Sequence, residues 1–105
     1  MNRREPVPLA CTLDAGARGA RVDEWRALVA SSVVRVESDP TSVRLVLRDS
    51  GAALVAAASL GAREKACCAF FDVAIEIQPA MRSLRLSVPD GAEEALATFA
   101  ALLRS

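Results

Sequence analysis

The chain contains no histidine, and this absence excludes several kinds of chemistry at once. A Ser–His or Cys–His nucleophile pair cannot be built, because the usual base is missing. A mixed Cys/His zinc site is excluded for the same reason. The sequence also lacks a glycine-rich phosphate loop, a Walker motif and a dinucleotide-binding fingerprint. The common hydrolase and nucleotide-binding machinery is therefore not expected here.

An excess of positive charge is also missing, since Lys and Arg together number 13 and so do Asp and Glu. A nucleic-acid binder needs a basic excess to neutralise phosphates. Tyrosine is absent, and the few aromatic residues do not alternate with a basic cluster; they are Trp25, Phe70, Phe71 and Phe99. We therefore expect no nucleic-acid partner.

Long apolar runs are absent as well. No stretch approaches the roughly 18 apolar residues of a membrane-spanning helix, and no apolar segment follows the basic N-terminus as it would in a signal peptide. We therefore expect neither membrane insertion nor export. The 105 residues, of which 52% are hydrophobic and 25% charged, are typical of one globular domain covering positions 1–105.

Three cysteines are present, Cys11, Cys67 and Cys68. An odd number of cysteines in a chain without an export signal indicates reduced thiols and a cytoplasmic location. Cys11 belongs to a segment in which apolar and other residues alternate with period two, Val7 to Leu13, and this predicts a half-buried strand with Cys11 on its apolar face. Asp14 then provides a helix N-cap.

The hydrophobic period predicts seven further elements. A helix from Ala15 to about Ser32 presents the stripe Val22, Trp25, Leu28, Val29 and Ser32. Two β-hairpins, near 33–47 and 73–88, flank a second helix that Ser50 caps and that runs to about Phe70. A short amphipathic helix, 92–103, ends the chain.

The predicted order is therefore β-α-β-β-α-β-β-α. Its first six elements match the ferredoxin-like split βαβ arrangement, with an added hairpin strand and a C-terminal helix. We expect an α+β fold in which helices cover one face of an antiparallel-rich sheet.

The segment around Cys67 and Cys68 is the best candidate for a site. Glu64 lies on the apolar stripe of the second helix, one turn before the two cysteines. A buried carboxylate needs a cation or a hydrogen-bond donor. Arg21, on the first helix one turn before Trp25, is the partner that we predict for Glu64.

Three thiols favour a soft ion such as Zn(II), Cu(I) or Hg(II) over Mg or Ca. We therefore predict metal ligands Cys11, Cys67, Cys68 and Glu64, with Arg21 behind them. In one alternative the three thiols do not converge. Cys11 would then lie about 5–10 Å from Cys67 and Cys68, judging from the rise per residue of a strand. In a second alternative, at least two of the cysteines only fill the core, as buried cysteines often do.

Three motifs resemble a family of small bacterial proteins. These are Cys11-Thr12-Leu13, then Arg21-x-x-x-Trp25-Arg26-Ala27-Leu28, then Glu64-x-x-Cys67-Cys68-Ala69-Phe70. Similar segments occur in domains attached to metal-responsive regulators of the mercury-resistance type. The resemblance covers the first two thirds of the chain and implies a heavy-metal or thiol context for these cysteines and Glu64. The DNA-binding part of such regulators is missing from this sequence.

Three functions remain open at this point. The favoured one is a cytoplasmic accessory domain for metal handling or sensing. The second is a homo-oligomeric, for example dimeric, structural or regulatory domain. Its interface would be the open sheet face, lined by Arg44, Arg48, Arg82 and Arg85 with Glu37 and Glu76. The third is a thiol redox enzyme, which is ranked lower because a helix C-terminus disfavours a thiolate.

Overall fold

Three helices and four strands make up residues 15–104, the part of the chain that the computed structural model describes. The helices are α1 (Ala15–Ser32), α2 (Gly51–Cys67) and α3 (Glu93–Arg104), and the strands are β1 (Val33–Asp39), β2 (Ser42–Leu47), β3 (Asp72–Gln78) and β4 (Met81–Ser87). None of these described helices is long and apolar enough to cross a membrane. The predicted strand over 7–13, with Cys11, and the predicted cap Asp14 lie outside the described residues.

The strands form one sheet in the order β1-β2-β4-β3, and each neighbouring pair is antiparallel. The helices pack on one side of this sheet, so the predicted α+β class is confirmed, and the arrangement is consistent with a ferredoxin-like α+β fold. The added hairpin strand of the prediction is β4. It lies inside the sheet, where it joins the two hairpins by pairing with β2.

The core lies between the sheet and the helices. Alternate residues of β2 and β4 point into it and are fully buried, as period two requires; they are Val43, Leu45, Leu84 and Leu86. The predicted stripe of α1 faces them, with Trp25 and Leu28 buried and Val29 packed beside them. The helix α3 contributes Leu96, Ala100 and Leu103. The inward faces predicted for α1, β2 and β4 are therefore confirmed. The alternation predicted for β3 is not matched by burial, because β3 lies at the edge of the sheet and its Ile75 and Ile77 are 37% and 62% exposed.

The helix α2 lies close to the sheet at one position, Gly61, where a larger side chain would crowd its neighbours. A Cβ atom added at Gly61 would lie 3.0 Å from Val73 Cγ1 and 3.2 Å from Leu84 Cδ1. These distances are shorter than an ordinary van der Waals contact. Gly61, which looks like a weak point of the helix in the sequence, is thus where α2 packs against β3 and β4.

The end of α2 corrects one prediction. The helix ends at Cys67, three residues before the predicted Phe70, and Cys68 follows as its C-cap with φ −122° and ψ 85°. The chain turns there because Phe71 is buried in the core and leads directly into β3. The two cysteines consequently do not share a regular helix, and the 100° separation expected for helical neighbours does not apply.

Candidate functional site

A buried carboxylate lies at the centre of the candidate site. Glu64 is only 5% exposed, and its Oε1 atom accepts a hydrogen bond of 2.7 Å from Trp25 Nε1. The same oxygen lies 3.3 Å from Arg21 Nη1, so the predicted partnership of Arg21 and Glu64 is confirmed. Arg21 and Trp25 can act together because four residues separate them, one turn of α1. We refer to Arg21, Trp25 and Glu64 as the polar cluster.

Trp25 is a hydrogen-bond donor to Glu64 as well as the core residue that the sequence predicts. The stripe predicts a core residue, and Trp25 is indeed buried at 1% exposure, with its ring edge-on to Phe99 at a centroid distance of 5.3 Å. Its indole N–H nevertheless makes a shorter contact with the Glu64 carboxylate, 2.7 Å, than Arg21 does at 3.3 Å. A buried indole usually finds an acceptor for this donor. No sequence signal indicates this role, because Trp25 and Glu64 lie on different helices, 39 residues apart.

The guanidinium of Arg21 contacts three acceptors with its three nitrogen atoms. Nε lies 3.4 Å from Glu24 Oε1, Nη1 faces Glu64, and Nη2 donates to Cys67 Sγ at 3.7 Å. Burial lowers the pKa of Arg21, but the hydrogen bond to Cys67 and the charge of Glu64 raise it by more, so its net shift is upward. Arg21 is therefore a fixed cation between an acid and a thiol.

The two thiols at the end of α2 have different surroundings. Cys67 is half-buried and contacts Arg21, whereas Cys68 is 4% exposed and belongs to the core. The two cationic side chains near the end of α2 contact other groups. Lys65 Nζ donates to the Ala69 carbonyl at 2.7 Å, and Arg63 forms an ion pair with Glu24 at 2.9 Å. The cation that reaches a thiol therefore comes from α1.

The described residues bring only part of the predicted metal set together. Among residues 15–104 there is no group of three or more Cys, Asp or Glu side chains that could hold a metal ion. Glu64 Oε1 is occupied by Trp25 and Arg21, which makes Glu64 a hydrogen-bond acceptor here. Cys11 lies outside the described residues. The four-ligand site thus stays a prediction.

A pocket of about 170 Å³ adjoins the polar cluster. It lies between α1, α3 and the turn after α2, and its polar end is Glu64 beside Arg21. Most of its wall is apolar and comes from Val22, Trp25, Cys68, Phe71, Phe99 and Leu102. Cys68 is therefore the thiol next to the pocket, and Cys67 is the thiol next to Arg21.

Comparison with known proteins gives no match for this chain, whether with protein-family models, with curated proteins or with solved structures. The resemblance to paired-cysteine bacterial proteins therefore stays a prediction. What the protein does must be inferred from the side chains of the site.

Proposed function

We propose that this protein is a cytoplasmic binding domain that holds a soft metal ion through its thiols. The observation that supports the proposal is the contact between Arg21 Nη2 and Cys67 Sγ, 3.7 Å apart, with a second thiol at the next residue. Sulfur binds soft ions as the thiolate, and the guanidinium of Arg21 fixes the position of the Cys67 sulfur at the end of α2. Cys67 and Cys68 are the two ligands of the described residues in this proposal, and Cys11 is the third.

The polar cluster has a positioning role in this proposal. Glu64 holds one nitrogen of Arg21, and Trp25 holds Glu64, so the guanidinium is kept against Cys67. Groups that orient a ligand from behind commonly affect metal affinity by about 10–100-fold. Arg21 and Glu64 would act on the ion through Cys67.

The donor chemistry limits the choice of ion. Thiolate sulfur favours Cu(I), Zn(II) and heavier thiophilic ions such as Hg(II), and oxygen-seeking Mg and Ca are disfavoured. A reduced cytoplasmic thiol pair suits such an ion, since the ion replaces the protons of the thiols. We propose a role in metal handling or sensing for the domain.

The test is an anaerobic titration of the reduced full chain with Zn(II), Cu(I) or Hg(II), followed by the ultraviolet charge-transfer absorbance of metal–thiolate bonds. We expect saturation at one ion per chain, and loss of this signal in the double variant Cys67→Ser/Cys68→Ser. The single variant Cys11→Ser then tests the third ligand and should weaken binding. Equal titration curves for the parent and the double variant would rule the proposal out.

A second candidate function is assembly through the open face of the sheet. Arg44 and Arg85 have buried Nε atoms that make no hydrogen bond within the described residues. Arg44 Nε nevertheless lies 3.3 Å from Glu76 Oε1, and Arg85 contacts the same carboxylate through Nη2 at 3.4 Å. A second copy could provide acceptors for these donors, because the same face also carries Glu37. A sedimentation mass that rises to twice the chain mass with concentration, and falls in Glu76→Gln, would support this assembly.

A further inference from the structure

We infer that the pocket beside the polar cluster binds a small, neutral, apolar molecule of about the size of one aromatic ring. This inference goes beyond the proposed metal function, because it rests on the pocket and requires neither a metal nor a thiolate. Its four supports are the size of the pocket, its aromatic wall, the acid–cation pair at its polar end and its position at the surface between α1 and α3.

The volume sets the size of the ligand. The pocket measures about 170 Å³, and an apolar protein cavity of about 150 Å³ is known to accept benzene. Sites for drug-sized molecules and cofactors are larger, about 300–1,000 Å³. The pocket therefore fits a single ring, or an aliphatic group of the same volume, within its walls.

The wall is aromatic on several sides. Phe99 contacts Trp25 edge-on at 5.3 Å and lies 5.4 Å from Phe71, centroid to centroid. Phe70 stands beside Phe71 at 4.8 Å. Aromatic rings attract one another at such distances in edge-on and offset arrangements. A ring-sized ligand would extend this group of side chains.

The polar end of the pocket is a carboxylate paired with its cation. The nitrogen atoms of Arg21 face Glu24, Glu64 and Cys67, and the indole N–H of Trp25 is bonded to Glu64. The other arginine of the lining, Arg18, is exposed and has an interaction of its own. A carboxylate or phosphate would enter beside the like charge of Glu64, which lines the pocket, so a neutral ligand fits better.

The test uses the full chain and fluorobenzene as the probe. Trp25 is the only tryptophan, so its fluorescence reports binding at the pocket, and ¹⁹F NMR of fluorobenzene reports it independently. We expect both signals to saturate with the same dissociation constant. A probe signal that rises linearly without saturation would overturn the inference.

A matched pair of variants on α3 locates the site. Ala95 lines the pocket, whereas Ala97 lies on the exposed side of the same helix and is not part of the lining. We expect Ala95→Phe to weaken fluorobenzene binding by about tenfold or more, and Ala97→Phe to bind like the parent. If Ala95→Phe does not fold, Thr98→Phe, at an exposed lining position, gives the same comparison. Equal weakening by the pocket and control variants would contradict the inference.

The two proposals fail separately. Cys67 is not part of the pocket lining, so Cys67→Ser should keep fluorobenzene binding while it impairs metal binding. Ala95→Phe should do the reverse. Loss of fluorobenzene binding in a folded Cys67→Ser variant would overturn the pocket inference and leave the metal proposal standing.

Discussion

Polar side chains of the two facing helices α1 and α2 form hydrogen bonds and ion pairs with each other. Glu64 would be costly to bury alone, because desolvation disfavours an unpaired carboxylate. Trp25 and Arg21 provide two donors for it, and both lie on the same turn of α1. Arg21 then reaches Cys67, so the charge of Glu64 is linked to the thiol through one side chain.

The first prediction concerns this buried charge. Glu64→Gln should lower the free energy of unfolding by about 1.5–3 kcal/mol, since hydrogen bonds to a charged group are lost or weakened. The matched control is Glu24→Gln, which removes another acid beside Arg21 at an exposed position. Exposed ion pairs contribute about 1 kcal/mol or less. Urea unfolding measures both changes, and equal effects would contradict the account of the polar cluster.

The second prediction separates Arg21 from a simple positive charge. Lysine keeps the charge but cannot contact Glu24, Glu64 and Cys67 with three planar nitrogen atoms. Arg21→Lys should therefore weaken metal binding by about 10–100-fold, the range for groups that orient a ligand. Competition with a chromophoric chelator measures this change. Unchanged affinity in Arg21→Lys would mean that the guanidinium does not position Cys67.

For single residues, the sequence predicts the pairing of Arg21 with Glu64 but not the hydrogen bond from Trp25 to Glu64. A carboxylate on an apolar stripe is an anomaly, and it led directly to Arg21 as the partner of Glu64. The indole of Trp25 could not be assigned in the same way, because a tryptophan on such a stripe is usually a core residue. The contact between Arg21 and Cys67 depends on how α1 crosses α2, which no local pattern encodes.

The helix α2 approaches the sheet closely at Gly61. Gly61 faces β3 and β4, and the space beside it is too small for a methyl group without movement of Val73 or Leu84. Gly19 on α1 is also inside a helix, but nothing lies within 4 Å of a Cβ atom placed there. The same substitution should therefore have opposite effects at the two positions.

The third prediction follows from this contrast. Gly61→Ala should destabilise the protein by about 1–3 kcal/mol through overpacking. Gly19→Ala should stabilise it by about 0.5–1 kcal/mol, because alanine is the better helix residue. Thermal unfolding gives the sign of each change. A stabilising Gly61→Ala would show that α2 does not rest on the sheet as described.

The fourth prediction concerns the turn between β1 and β2. Asp39 Oδ1 accepts hydrogen bonds from the backbone N–H groups of Thr41 and Ser42. These contacts lower the pKa of Asp39 below its ordinary 3.8. The hydrogen bond from the Thr41 backbone N–H has the largest effect, and the hydrogen bond from the Ser42 hydroxyl has the next largest. The stabilisation is thus complete above pH 3.8 and is lost as the pH falls through the lowered value.

Asp39→Asn should consequently be less stable than the parent at pH 7, and the difference should shrink as the pH falls below 3.8. The reason is that the protonated parent has a neutral acceptor too. Thermal unfolding of both proteins across this pH range measures the difference. A difference that is the same at every pH would contradict the role given to the charged carboxylate.

The elements themselves were largely predictable, since α1, the two hairpins and α3 follow from period and turn residues. The end of α2 was not. The residues after Cys67 continue an apolar run, and only the burial of Phe71 and the contact of Lys65 with the Ala69 carbonyl indicate that the chain turns there. Such contacts form after folding and leave no periodic signal.

Within residues 15–104, helices cover one face of the sheet and leave the other face uncovered. Local patterns predict each hairpin, but they do not determine which strand of one hairpin pairs with which strand of the other. The pairing of β2 with β4 results from packing of the two hairpins under α1, α2 and α3. It brings the end of α2 against α1, and this contact assembles the polar cluster, the two thiols and the pocket.

Native mass spectrometry tests whether the thiols at the end of α2 hold a soft metal ion, because it counts the ions that each chain retains. The fifth prediction is that reduced protein, purified without oxygen or chelator and exposed to Zn(II), Cu(I) or Hg(II), retains one ion per chain. The Cys67→Ser/Cys68→Ser variant should show only the mass of the apoprotein. Retention of the same ion by parent and variant, or an apoprotein mass for both with every ion, would contradict the account.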